Sequence, residues 1–191
     1  MKLLKTLSLI TLILLITSCE PPVHTEPEFV GYNLYLSFQD SSGTDLAKGI
    51  EYNRSLGAVV DSVYTLDIII AEPCWNWDND IYNAPPRPGF EPDVNRQRLG
   101  LSIYKGYSYL TNQFGLPLDD CPKQEILIYQ MKCPYLFGDN TLHELVTYWD
   151  IPKDERDPSA TCYRIEFEGQ EITPNTMNEY SYVSTAILIL E

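Results

Sequence analysis

Residues 30–38 read VGYNLYLSF and alternate without a break. Val30, Tyr32, Leu34, Leu36 and Phe38 fall on one side, and Gly31, Asn33, Tyr35 and Ser37 on the other. Successive side chains of an extended chain point to opposite faces. The pattern therefore specifies a half-buried β-strand and conflicts with the 3.6-residue period of a helix. The same signal returns along the chain. Residues 63–71 (VYTLDIIIA) form a strand whose apolar end predicts a central place in a sheet. Residues 99–110 (LGLSIYKGYSYL) read as one tyrosine-rich strand bulged near Gly106. Residues 125–132 and 142–149 follow as strands. In residues 161–168, Tyr163, Ile165 and Phe167 share one face and Arg164, Glu166 and Glu168 the other. Residues 180–190 (YSYVSTAILIL) close the series.

Turn residues punctuate these runs at Ser41-Ser42-Gly43, Gly138-Asp139-Asn140 and Gly169, and no amphipathic helix interrupts them. About seven strands at short intervals predict an all-β chain, an antiparallel β-sandwich of immunoglobulin-like type. A β-barrel or a transthyretin-like sandwich is the alternative.

The first residues follow a different rule. Lys2 and Lys5 precede an apolar run from Leu7 to Ile16, and Thr17 and Ser18 lead into Cys19. This is the layout of an export signal, too short for a lasting membrane span. The ending Ile16-Thr17-Ser18-Cys19 resembles the bacterial lipobox, in which the cysteine becomes the first mature residue and carries lipid. The resemblance implies a signal peptide at 1–18 and a multiply acylated Cys19. More than one acyl chain is what stable anchoring requires. Residues 19–29 then read as a tether, extended by Pro21, Pro22 and Pro27 and self-repelling through Glu20, Glu26 and Glu28. His24 sits within it as a solvated side chain. The folded domain is expected at 30–191, about 160 residues, enough for one core and short for two.

The acidic run behind Cys19 is similar to the surface-export signals of Bacteroidetes-type lipoproteins. The segments LSFQDSSGTDLAKGI and CPYLFGDNTLHELVTYW, with CYRIEFEG further on, resemble a group of small Bacteroidetes-type cell-envelope lipoproteins without an assigned function. The resemblance implies a lipid-anchored β domain in the bacterial cell envelope. It points to the outer membrane, at the periplasmic face or the cell surface, and brings no catalytic residues with it.

Charge narrows the partners. The chain carries 27 acidic and 13 basic residues. Without Lys2 and Lys5, 11 basic residues remain and the net charge is about −16. Such a surface repels nucleic acid and anionic headgroups, so contact with the membrane is expected through the lipid anchor alone. A glycan or a protein is the expected partner.

Four cysteines remain after Cys19: Cys74, Cys121, Cys133 and Cys162. In an exported protein they suggest two disulfides. A strand at 125–132 would hold Cys121 and Cys133 roughly 30–40 Å apart, whereas a bridge needs Cα atoms about 4.4–6.8 Å apart. Shorter loops favour Cys74–Cys121 with Cys133–Cys162, and the interleaved pairing stays open. The thiols are too scattered for a zinc site.

Residues 71–89 (AEPCWNWDNDIYNAPPRPG) hold the densest cluster of binding chemistry. Trp75 and Trp77 point to one side of an extended segment and offer a shared apolar surface. Asn76, Asp78 and Asp80 add groups that hydrogen-bond hydroxyls, and Tyr82 extends the platform. The opposing reading is a loop pinned by Cys74 whose tryptophans cap the core. Asp78, Asn79 and Asp80 are oxygen donors, but the EF-hand order fails at Tyr82, so no metal is expected. His143-Glu144 begins like a zinc-protease motif, but position 147 is Thr and the second histidine is absent. No G-x-S-x-G is present, and no carboxylate pair stands out for glycoside hydrolysis. No enzyme activity and no cofactor are expected.

The chain thus reads as a non-enzymatic binding module for a glycan or peptide, with the site at Trp75 to Tyr82. The alternative is a structural or fimbria-like assembly protein that pairs through a sheet edge or its C-terminal strand. That strand, with its apolar run from Ala186 to Leu190, otherwise closes the core.

Overall fold

A computed structural model describes residues 29–71, 97–117, 123–152, 159–177 and 180–190. The export signal, Cys19, the tether, Cys74, Cys121 and the whole cluster Trp75, Asn76, Trp77, Asp78, Asp80 and Tyr82 lie outside them. The described residues are all-β. They form β1 (Phe29–Asp40), β2 (Tyr52–Asn53), β3 (Ala58–Val59), β4 (Thr65–Ile70), β5 (Gly100–Tyr104) and β6 (Tyr107–Pro117). Then follow β7 (Ile126–Lys132), β8 (His143–Asp150), β9 (Ser159–Phe167), β10 (Gln170–Ile172), β11 (Asn175–Met177) and β12 (Tyr180–Leu190). One helical turn, Pro134–Phe137, links β7 to β8. Among the described residues no helix is long and apolar enough to cross a membrane.

The strands make one sheet in the order β2-β3-β5-β6-β1-β9-β8-β7-β4, curled into a half-barrel. β1 is its pivot. One edge of β1 pairs antiparallel with β6. The other edge meets β9 at Gly31 and Tyr32, then β12 from Leu34 to Asp40. The handover from β9 to β12 parts the sheet into two halves whose apolar faces share one core. Tyr32 stacks on Phe114 and meets Trp149 edge-on, each at 5.2 Å between ring centres. Phe38, at the far end of β1, meets Phe137 of the helical turn at 5.8 Å. Burying such large rings is the main stabilising contribution of the core.

Three expectations change. Twelve strands are present among the described residues rather than about seven. The additional ones include β2, β3, β10 and β11, each of two or three residues. Runs that short hold too few side chains for a period of two to show. The sheet is mixed rather than antiparallel, because β1 runs parallel to both β9 and β12. Long connections bring those later strands beside β1 in the same direction. β4, expected to be central, is an edge strand beside β7. Its Leu66, Ile68 and Ile70 are buried, while Ile69 faces out.

Residues 99–110 form a hairpin and not one strand. Lys105 (φ 51°) and Gly106 (φ 86°) both take the left-handed conformation between β5 and β6. Glu168 (φ 49°) and Gly169 (φ 78°) do so between β9 and β10. Two successive positive φ values make the tight turn whose twist matches that of paired strands.

Both described cysteines, Cys133 and Cys162, are buried free thiols, so the expected Cys133–Cys162 bridge is corrected. Cys74 and Cys121, on which the other expected bridges depend, lie outside the described residues. Register keeps Cys133 and Cys162 apart. Cys133 follows β7 and Cys162 lies on β9, with β8 between them. Met131 pairs with His143 and Trp149 with Cys162. The cysteines are therefore two strand spacings apart, roughly 10 Å, and about eight residues apart along the strands, roughly 26 Å.

β12 has two characters. Ser184, Ala186 and Leu188 are buried, so this side closes the core. Ile187 and Ile189 face outward at 48% and 41% exposure. β11 pairs with β12 only as far as Thr185. Beyond it, residues 186–190 pair with β1 alone among the described strands.

Candidate functional site

The described site is built at one end of β8. The helical turn 134–137 ends at Gly138 (φ 74°), whose N–H bonds to the Pro134 carbonyl at 3.0 Å. Asp139 then closes a tight turn. Its Oδ1 accepts the Thr141 backbone N–H and the Thr141 hydroxyl, each at 2.8 Å. These bonds, the Thr141 backbone N–H first, hold the Asp139 carboxyl below the usual carboxylate range.

The same oxygen lies 3.1 Å from His143 Nε2. His143 Nδ1 lies 2.7 Å from Glu168 Oε1, in the β9–β10 turn. The imidazole stacks on Phe137 at 3.8 Å, and its side chain is 13% exposed. The two acids take opposite ring nitrogens, so the trio does not converge on one ion. His143 is thus a strand residue tying two turns together.

Beside it runs a groove of about 590 Å³ on the outer face of β8, β9 and β10, lined by Glu144, Glu166, Glu168 and Glu171 with Val146 between them. Glu166 and Glu171 stand directly opposite each other, a placement that is repulsive for like charges. Arg164 relieves it, at 3.4 Å from Glu166 Oε1 and 3.9 Å from Glu171 Oε2. The Arg164 guanidinium lies 3.7 Å over the Tyr148 ring, and the Tyr148 hydroxyl donates to Glu166 Oε1 at 3.1 Å. This surface suits cationic or hydroxyl-bearing groups. Alternation had placed Arg164, Glu166 and Glu168 on one face. Only strand register adds Glu144 and Glu171 to them.

A second polar cluster lies inside the core. The Tyr32 hydroxyl donates to the Gln124 carbonyl at 3.0 Å and accepts the Gln124 N–H at 3.1 Å. The Tyr129 hydroxyl is buried without a hydrogen-bond partner among the described residues, and burial raises its pKa well above the ordinary value. Burial also pushes the Cys162 thiol up to about 12. A thiol so placed is no nucleophile.

The residues expected to bind ligand, Trp75 to Tyr82, fall in the connection between β4 and β5 and outside the described residues. Comparisons with protein-family models, curated proteins and solved structures found no match to this chain.

Proposed function

We propose that this chain is a lipid-anchored protein of the bacterial cell envelope, held in the outer membrane through Cys19, and that it works as a non-enzymatic binding module. Its ligand is a glycan or a peptide received by Trp75, Asn76, Trp77, Asp78, Asp80 and Tyr82. The observation that carries this reading is the clustering in sequence of two indoles with four hydrogen-bonding side chains, Asn79 among them, within six residues. Its place in the topology supports it, because the connection starts from β4 in one half of the sheet and rejoins at β5 in the other. Binding segments are commonly loops held by such a scaffold. An immunoglobulin-like sandwich is the finer architectural reading, supported by the two apolar faces that share one core.

Tryptophan fluorescence tests the reading directly. Trp149 is 1% exposed, so acrylamide-accessible emission in the intact chain reports Trp75 and Trp77. Strong quenching is expected, followed by loss of binding to a glycan and peptide panel in Trp75→Ala and Trp77→Ala at unchanged melting temperature. Blue, unquenched emission would overturn the platform.

A second reading, an assembly protein that pairs through its C-terminal strand, is favoured by the edge of β12, which no other strand among the described residues covers beyond Thr185.

A further inference from the structure

We propose that two copies of this chain join edge to edge through β12, antiparallel about a two-fold axis at Leu188. This deepens the assembly reading above, rests on it, and names the partner as a second copy of the chain.

The first argument is how the edges differ. Natural sheets protect edge strands by keeping them short or by placing charge, proline or a bulge on them. β2, β10 and β11 are two or three residues long. β4 carries Asp67 at its middle. Among the described residues, β12 beyond Thr185 has none of these devices. It is Ala-Ile-Leu-Ile-Leu, and the whole strand from Tyr180 to Leu190 holds no charged residue in a chain with 27 acidic ones.

The second argument is self-complementarity. A closed two-fold interface uses the same patch on both copies, and an antiparallel strand pair meets that condition. Pairing the open residues 186–190 with themselves centres the register on Leu188. Ile187 of each copy then stands opposite Ile189 of the other. All four side chains lie on the outer face, where they are now about half exposed. The edge backbone gains a ladder, and the isoleucines cover one another. Net charge selects the same surface. Two copies that each carry −14 repel wherever carboxylates meet, and this strand brings none. An interface of this size belongs to the weak, transient class, suited to chains concentrated on a surface.

Register makes the test specific. Full-length Ile187→Cys and Ile189→Cys variants are mixed and oxidised, with the parent chain as background for Cys74 and Cys121. The mixed disulfide is expected to exceed either self-link about tenfold, because the diagonal separation across strands, about 7–8 Å, is beyond disulfide reach. Equal yields in all three combinations, or no added link, would overturn the register and the dimer. In parallel, a photoreactive amino acid replaces Ile187 in cells producing the full chain. A product of twice the chain's mass supports the proposal. A product of another mass overturns the second copy as partner and leaves the assembly reading standing. No product removes both. The double variant Ile187→Lys, Ile189→Lys should keep the parent near-ultraviolet circular dichroism while losing the dimer expected of the parent in sedimentation velocity.

Discussion

Trp149 donates its indole N–H to Thr147 Oγ1 at 2.7 Å, and Thr147 donates its hydroxyl onward to the Leu127 carbonyl at 2.9 Å. Both side chains are essentially inaccessible to water. Thr147→Val keeps the shape but leaves the Trp149 indole N–H buried without its acceptor. The expected loss is about 1–3 kcal/mol, read from the urea midpoint. Thr147→Ser retains the hydroxyl and should recover most of it. A Thr147→Val chain as stable as the parent would show that the relay contributes nothing net.

The two described thiols should be silent in the folded protein. The thiolate is the reactive form, and burial raises the pKa of both Cys133 and Cys162. Thiol labelling followed by peptide mapping should find both positions unmodified in buffer and fully modified in guanidinium chloride. Non-reducing peptide maps should contain no Cys133–Cys162 bridge. Its detection would contradict the strand register.

Asp40 gives a pH signature. Its Oδ1 accepts the Ser42 hydroxyl at 2.6 Å, the Ser42 N–H at 2.8 Å and the Thr44 N–H at 2.9 Å. These bonds, the Ser42 hydroxyl first, lower its pKa from 3.8 to about 2. A carboxyl depressed by folding contributes stability that is present above its unfolded pKa and is lost as pH falls through its folded one. The stability gap between parent and Asp40→Asn should therefore be constant above the unfolded value of 3.8 and shrink between there and about 2. Urea midpoints across that range check it. A gap that widens with acid would reverse the assignment.

Gly100 faces a steric limit. A Cβ there would stand 2.5 Å from Thr111 Oγ1 on the paired strand β6. Gly100→Ala should destabilise by about 1–3 kcal/mol, and Thr111→Ala in the same chain should restore part of it. Additive losses in the double-mutant cycle would place the strain elsewhere.

Period-two alternation made much of this fold legible. Val30, Tyr32, Leu34, Leu36 and Phe38 are all buried, as their spacing requires. The extent of β12 also matches the expected 180–190. Alternation failed where one residue shifts the phase. Tyr163 was grouped with Ile165 and Phe167, yet it is 55% exposed while Cys162 is buried. Tyr148 pairs with Arg164 and Trp149 with Cys162, so Tyr163 is the extra residue of a bulge. Nothing local announces a bulge, because it is set by the neighbouring strand. Gly106 did carry a local sign, but Lys105 beside it did not suggest a second left-handed residue, and a hairpin was taken for one strand. The glutamate groove stayed hidden for the same reason as the bulge. Glu144 lies 22 positions from Glu166, and only the path of β8 against β9 makes them neighbours.

The pairing of β1 has a consequence for biogenesis. Its ladder partners lie between 74 and 150 positions further along the chain, the most distant being those on β12. Contacts so remote in sequence make folding slow, and the pivot strand stays incomplete until the final stretch has been made. A nascent chain of this design has little to fold around before those late strands exist. The architecture thus defers closure of the core until β12 has been made and can lie along β1.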